Sequence, residues 1–379
     1  MTAKLLINQI IEGLRTFLFR ENNKPESIKI LTGINDTNLD IISQEVKRRL
    51  NYFNININIE DIEKINIKDM LNFELIGLVN NKSIYNNLSK IKKNDVFKLN
   101  YNNYYLDGWE YHKLLSRMNQ DIVKEGIIHG KQKIKELKQK NKIDQAYIFG
   151  TGPSLEKAID KEWKTGIKIV SNTIVKDLEL WEHINPQFIV ASDAIYHFGI
   201  SKFSEAFRED LKKCLKNSQA YFVYPAIFHI FCLSMFSEFK DRLIPIPHGK
   251  VNTIHHDLSK LYELPDLGNV LPQILLPLAC TFSVNIGFWG FDGRAPDDKM
   301  FWKNSSKHFY NEHVEELKVL HPAFFEELLP KKSPETYVKR VHGDVLERLL
   351  TMAEKDGYKF NMLHASFTET LNKRFNEAV

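Results

Sequence analysis

The sequence predicts an α/β fold: a Rossmann-like, doubly wound, mostly parallel sheet with a smaller N-terminal α/β domain before it. Three observations carry this. From Asp144 onward, short apolar runs alternate with helical segments, the pattern of a parallel sheet covered on both faces. The first of those runs breaks into Gly150-Thr151-Gly152-Pro153-Ser154 and then into helix-forming residues, a strand–turn–helix start. Finally, 379 residues with 43% hydrophobic content suffice for about two domains with real cores.

Residues 1–112 form the expected N-terminal domain, with strand-like runs at 27–33, 53–59 and 75–79 and helical spacing of Ile41, Ile42, Val46 and Leu50 across 40–50. The many Asn residues there are interrupted throughout by Ile and Leu, unlike a low-complexity tract. Residues 111–142 read as one long helix, and 113–143 as the connection between domains. The lysines of its second half (131, 133, 135, 138, 140, 142) suit a solvated face. The larger domain, 144–379, offers strands at 146–149, 168–170, 188–191, 220–223, 243–246 and 286–289. It ends in a helical extension through Leu346, Leu349, Leu350 and Ala353.

Charge and cysteines narrow the function. With 52 basic and 48 acidic residues the net charge is only +4, which argues against a nucleic-acid partner held by bulk charge. Cys214, Cys232 and Cys280 have no metal-ligand spacing and form no even framework, as in a reducing cytoplasm. The first residues lack a secretory pattern, and the most apolar stretch, 271–286, is interrupted by two prolines and Gln273. The expectation is a cytoplasmic protein; a peripheral contact at the inner face of the membrane and a homo-oligomer both stay open.

Parallel strands end on one rim, where ligands of such sheets gather. At the Gly150–Ser154 turn, backbone N–H groups and the positive end of a helix dipole suit a phosphate. The glycines permit close approach, Pro153 suits a first helical position, and Ser154 either caps the helix or bonds the anion. The turn lacks the Lys-Ser/Thr of a Walker loop and the full G-x-G-x-x-G pattern. Asn172 follows the second strand and either reads a base or ribose edge or closes an Asx turn. Asp193 follows the third and either accepts from a ribose hydroxyl or an amino sugar or caps a helix beginning near Ala194. Asp292 sits in Gly290-Phe291-Asp292-Gly293-Arg294, where the Arg294 fork matches phosphate oxygens unless it forms a surface ion pair. The block 300–325 is dense in aromatics and holds His308, His313 and His321 within fourteen residues. An imidazole titrates near neutrality and suits a general base. Neither Asp297-Asp298 nor His255-His256-Asp257 makes a metal-ligand pattern, so no metal and no cofactor is expected.

On these residues the chain resembles a family. Gly150-Thr151-Gly152-Pro153-Ser154, Asn172, and Gly290-Phe291-Asp292 after a late strand resemble the small bacterial sialyltransferases of the Campylobacter type. The motility-associated flagellin glycosyltransferases share the Gly-x-Gly-Pro-Ser start. The resemblance spans about residues 144–315 as separate motifs. It implies a CMP-activated nonulosonic acid as donor, inversion at the anomeric carbon without a metal, and a glycan, lipid-linked or protein-linked acceptor. It also implies that the Gly150 turn and Asn172 hold the nucleotide and that Gly268-Asn269 takes the place of a Ser-Gly turn opening a later helix. By the same resemblance the general base is expected within Lys307-His308-Phe309-Tyr310-Asn311-Glu312-His313, with His313 first and His308 second; the turn amides at 151–154, Arg294 and Tyr310 are the groups expected to stabilise the leaving phosphate. Arg294 stands where the family carries a phosphate-contacting tyrosine. Two other readings share the turn: a pterin pyrophosphokinase-like diphosphotransferase using ATP and Mg²⁺, and a non-catalytic nucleotide-binding protein of a polysaccharide locus.

Overall fold

The computed structural model describes residues 27–31, 58–62, 75–79, 96–99, 109–140, 143–249, 255–265, 267–295, 305–321, 324–325 and 339–376. The expected helix at 40–50, the Asp297-Asp298 pair and the aromatics Phe301 and Trp302 lie outside these residues.

Four short strands, β1 (Ser27–Leu31), β2 (Asn58–Ile62), β3 (Leu75–Val79) and β4 (Val96–Leu99), pair in parallel in the order β2-β1-β3-β4. The second begins five residues later than the alternating Asn and Ile at 53–59 suggest.

The single helix expected over 111–142 is two, α1 (Trp109–Met118) and α2 (Gln120–Lys140). Asn119 separates them. Its backbone N–H bonds the Ser116 carbonyl in a tight turn, and its side-chain amide donates to the Leu115 carbonyl at 3.0 Å. Asn disrupts helices by this kind of competition for backbone partners. Helix α2 is also more than a connector, because Ile134 is fully buried in the core of the large sheet. Lys131, Lys135 and Lys140 are exposed, while Lys138 pairs with Asp257 at 3.2 Å.

The large sheet has seven strands, all parallel: β5 (Ala146–Phe149), β6 (Ile167–Ser171), β7 (Phe188–Val190), β8 (Tyr221–Pro225), β9 (Leu243–Ile246), β10 (Asn285–Trp289) and β11 (Lys359–Met362). Their order is β11-β10-β5-β6-β7-β8-β9. Alternate residues feed two cores: Tyr147 and Phe149 join Trp181, Phe198 and Phe207 on one face, and Ala146 and Ile148 join Leu275, Ala279 and Leu350 on the other. Both sets are apolar because helices cover both faces of a parallel sheet. Those helices include α3 (Leu178–Ile184), α4 (Lys202–Lys216), α5 (His229–Met235), α6 (Leu276–Phe282), α7 (Val314–Leu320) and α8 (Leu346–Lys355).

The chain proceeds outward from β5 to β9, then returns to place β10 on the other side of β5. This reversal makes a switch point between β5 and β10, the place beyond the carboxyl ends of the strands where ligands of such sheets gather.

Candidate functional site

Two turns interlock at the switch point. The Gly150 N–H bonds the Trp289 carbonyl and the Gly152 N–H bonds the Gly290 carbonyl, both at 2.8 Å. Gly290 has φ of +78°, and a Cβ there would lie 2.3 Å from the Gly150 oxygen, so the turns touch backbone to backbone. Asp292 then folds over the start of a 3-10 helix, Pro153–Asp160. Both its carboxylate oxygens lie 3.1 Å from the Ser154 N–H, and the Ser154 hydroxyl donates to one of them at 2.9 Å.

This corrects the expectation of an open phosphate cradle at 151–154. The helix start does attract an anion, but the anion is Asp292. Gly152 and Ser154 have spent their N–H groups inside the protein, and Pro153 has none. Asp292 therefore binds the turn itself.

His364, two residues beyond β11, completes the cluster, and no motif in the sequence singles it out. Its Nε2 accepts the Gly290 N–H at 3.0 Å and lies 2.9 Å from the Ser154 hydroxyl. Accepting a backbone N–H requires an unprotonated Nε2, so Nδ1 carries the proton and donates to the Ala365 carbonyl at 2.7 Å. Desolvation pushes the His364 pKa down, against the pull of Asp292. The signal available in the sequence was the alternation of Tyr358, Phe360 and Met362 with polar residues after Gly357.

Farther along the rim, Asn172 adopts left-handed backbone geometry, φ +52°. Among the described residues its side-chain amide has no hydrogen-bond partner, so the structure does not form the Asx turn. Asn tolerates this conformation better than most residues, yet it is uncommon and collects at ligand sites. Asp193 closes a turn at 194–197 rather than capping a helix, since the next helix begins at Lys202: one of its oxygens accepts from the N–H groups of Ile195 and Tyr196 at 2.8 and 3.0 Å. Desolvation pulls its carboxyl pKa up.

The segment 305–313 crosses the rim as a strap. The Ser305 N–H bonds the Thr151 carbonyl, its hydroxyl donates to Glu156, and Lys176 donates to the Phe309 carbonyl at 2.8 Å and pairs with Glu312. The strap thus lies over the ends of β5 and β6. His308 is fully buried within it, with Nδ1 at 2.9 Å from the Ser305 hydroxyl and Nε2 at 3.1 Å from Asp177. Burial lowers its pKa, opposed by Asp177 and Glu156. Both ring nitrogens are engaged, so His308 fastens the strap and has none left for a substrate. Tyr310 is likewise withdrawn from the expected role beside a leaving phosphate, since its buried hydroxyl donates to Asp210 at 2.8 Å. His313 is only half-buried, and its ring has no hydrogen-bond partner among the described residues.

Asn269 does open a helix. Its side-chain oxygen accepts from the Leu271 N–H at 2.9 Å, its amide nitrogen lies 2.9 Å from His342 Nε2, and Gly268 beside it meets open space. The Arg294 guanidinium forms no ion pair among the described residues, and its Nε is buried without a partner.

The chain matches no protein-family model and no curated protein. Among solved structures it is similar to a monofunctional α-2,3-sialyltransferase, Cst-I, from Campylobacter jejuni. The similarity covers 62% of this chain and 81% of that one, with 12% identity and a TM-score of 0.36. So distant a similarity carries no functional argument; the functional case rests on the residues of the rim. Among the described residues no group of three or more His, Cys, Asp or Glu side chains could hold a metal ion. No described helix is long and apolar enough to cross a membrane.

Several histidines are held neutral by desolvation: His197 is pushed down to about 3, and His229 and His342 to about 4. The unfolded chain takes up these protons below about pH 6.5, whereas the folded protein resists until its own lower values. Stability is therefore expected to fall as pH drops from about 6.5 toward 4, by at most about 4 kcal/mol per pH unit for the three together. Asp193, with its raised pKa, contributes in the opposite sense: its stabilisation is full below the ordinary carboxylate value and is lost as pH rises through the folded value. Denaturant titrations at pH 7.5, 6.0 and 5.0 check the slope, and a flat profile contradicts it.

Proposed function

We propose that this chain is an inverting, metal-independent glycosyltransferase. It moves a nonulosonic acid or Kdo from a CMP-activated donor to a hydroxyl of a glycan or glycoconjugate. The observation that carries the reading is Asn172: a left-handed residue whose amide has no hydrogen-bond partner among the described residues, at the end of β6 beside β5 and in the same short helix as Lys176, which bonds the strap that carries His313.

In the proposed step the bond between the anomeric carbon and the CMP phosphate breaks, and its electron pair leaves with CMP. The acceptor oxygen bonds the opposite face of that carbon and gives its proton to the His313 ring. Asn172 orients the nucleotide. The departing phosphate is already anionic and requires a fixed positive charge rather than a strong acid. With the Gly152 and Ser154 amides engaged, that charge is Arg294.

One observation favours a binding-only alternative: Asp292 already satisfies the helix start where a phosphate was expected. The diphosphotransferase reading calls for a cluster of acidic side chains at the rim to hold Mg²⁺, and the described residues offer none. Incubation with CMP-N-acetylneuraminic acid and CMP-Kdo separates these readings. Transfer is expected to release CMP and to persist in EDTA. Activity abolished by EDTA and restored by Mn²⁺ contradicts the metal-free step, and CMP binding without donor cleavage at high enzyme concentration favours the binding-only alternative.

A further inference from the structure

A groove of about 1090 Å³ runs from Arg294 between α8 and the turn at 367–370. Its charge is unbalanced. Of its acidic residues, Glu347 is held by Arg374 at 3.0 Å and Glu369 by Lys373 at 3.0 Å, leaving Asp344. Four cations on the same walls, Arg294, Lys339, Arg348 and Lys355, have no ion pair or hydrogen bond among the described residues. The buried Arg294 Nε is an orphan donor, and such a group in a folded protein calls for a partner.

The second feature is apolar. Phe367 lines the groove with 65% of its surface exposed, in a turn fixed by the bond from its N–H to the Asp292 carbonyl at 2.7 Å. A large exposed aromatic on a concave wall, with charged groups around it, is the composition of a ligand site. A ring face for a sugar and the unpaired cations Lys339, Arg348 and Lys355 for acidic groups together specify the ligand class, while Arg294 on the same wall is the group assigned above to the leaving phosphate.

We propose that this groove binds an acidic saccharide carrying two or more carboxylate or phosphate groups, and that this saccharide is the acceptor of the proposed transfer. Its role as acceptor rests on that transfer; the binding itself does not. Arg294 links the groove to the switch point, because it lies two residues beyond Asp292 on the same loop. The groove is larger than one small sugar requires, in keeping with an oligosaccharide.

The test is calorimetric titration of the full chain with digalacturonate, lactose and inorganic pyrophosphate at low salt and at 150 mM NaCl. Digalacturonate is expected to bind at least tenfold more tightly than either of the others and to weaken as salt rises. The double charge reversal Arg348→Glu with Lys355→Glu, both exposed on α8, is expected to weaken digalacturonate at least tenfold while leaving CMP affinity unchanged. Phe367→Ala is expected to weaken digalacturonate without altering pyrophosphate binding. Equal affinity for lactose overturns the acidic requirement, and equal affinity for pyrophosphate overturns the saccharide. Digalacturonate binding untouched by the charge reversal overturns the location. CMP binding measured on the same samples keeps failure of the groove distinct from failure of the nucleotide site.

Discussion

Replacing His313 by alanine is expected to lower turnover of a CMP-sugar donor roughly 10²–10⁴-fold, the contribution of a positioned general base, with little change in stability. The neighbouring His308→Ala is expected to do the reverse. It removes a buried ring bonded to Ser305 and Asp177, costs about 1–3 kcal/mol in stability, and changes turnover less than about tenfold apart from the unfolded fraction. The contrast arises because one ring is half-buried with no hydrogen-bond partner among the described residues, and the other is enclosed with both nitrogens engaged. Steady-state kinetics and denaturant melts on the two variants check it. If neither substitution reduces turnover tenfold, the base is elsewhere.

The second large effect is structural. Gly290→Ala is expected to destabilise the protein by on the order of 3 kcal/mol, because left-handed backbone is costly for alanine and overpacking adds to it. The added carbon would sit 2.3 Å from the Gly150 oxygen and 2.9 Å from its carbonyl carbon. Both atoms are backbone, so no flexible side chain can yield. Gly357 is the control. It also has positive φ, +92°, but a Cβ there meets nothing within 4 Å, so Gly357→Ala should show only the conformational cost of about 1–2 kcal/mol. Similar losses at the two positions would mean that the turns at 150 and 290 are not locked together. Because Asp292 closes over the same turn, Gly290→Ala is also expected to abolish CMP binding under the proposed reading.

The central strands were readable because their side chains are apolar on both faces. Runs such as Ala146–Phe149 and Ile286–Trp289 therefore stand out against helical and polar surroundings. Strand β11 did not stand out, since Lys359 and Asn361 are exposed while Phe360 and Met362 are buried, a half-polar pattern at the edge of the sheet. Missing that strand hid His364, which only the parallel pairing with β10 brings to Ser154 and Gly290. The Gly-Thr-Gly-Pro-Ser turn was legible as a strand–turn–helix start. That Asp292 would occupy its anion position was not, because the contact spans 138 residues of chain. Nor could spacing distinguish His308 from His313: one of them meets Asp177, the cap of α3, across 131 residues of chain. Asn119 shows the local version of the same limit, where one amide redirects a backbone bond inside an otherwise continuous helical pattern.

The most direct test of the nucleotide site is calorimetric titration of CMP into the native chain and into Asn172→Ala, with UDP and ATP as competitors. The account predicts that CMP binds more tightly than UDP or ATP and that loss of the Asn172 amide weakens CMP at least tenfold while leaving the melting temperature nearly unchanged. Preference for ATP, or CMP affinity indifferent to Asn172, would contradict it.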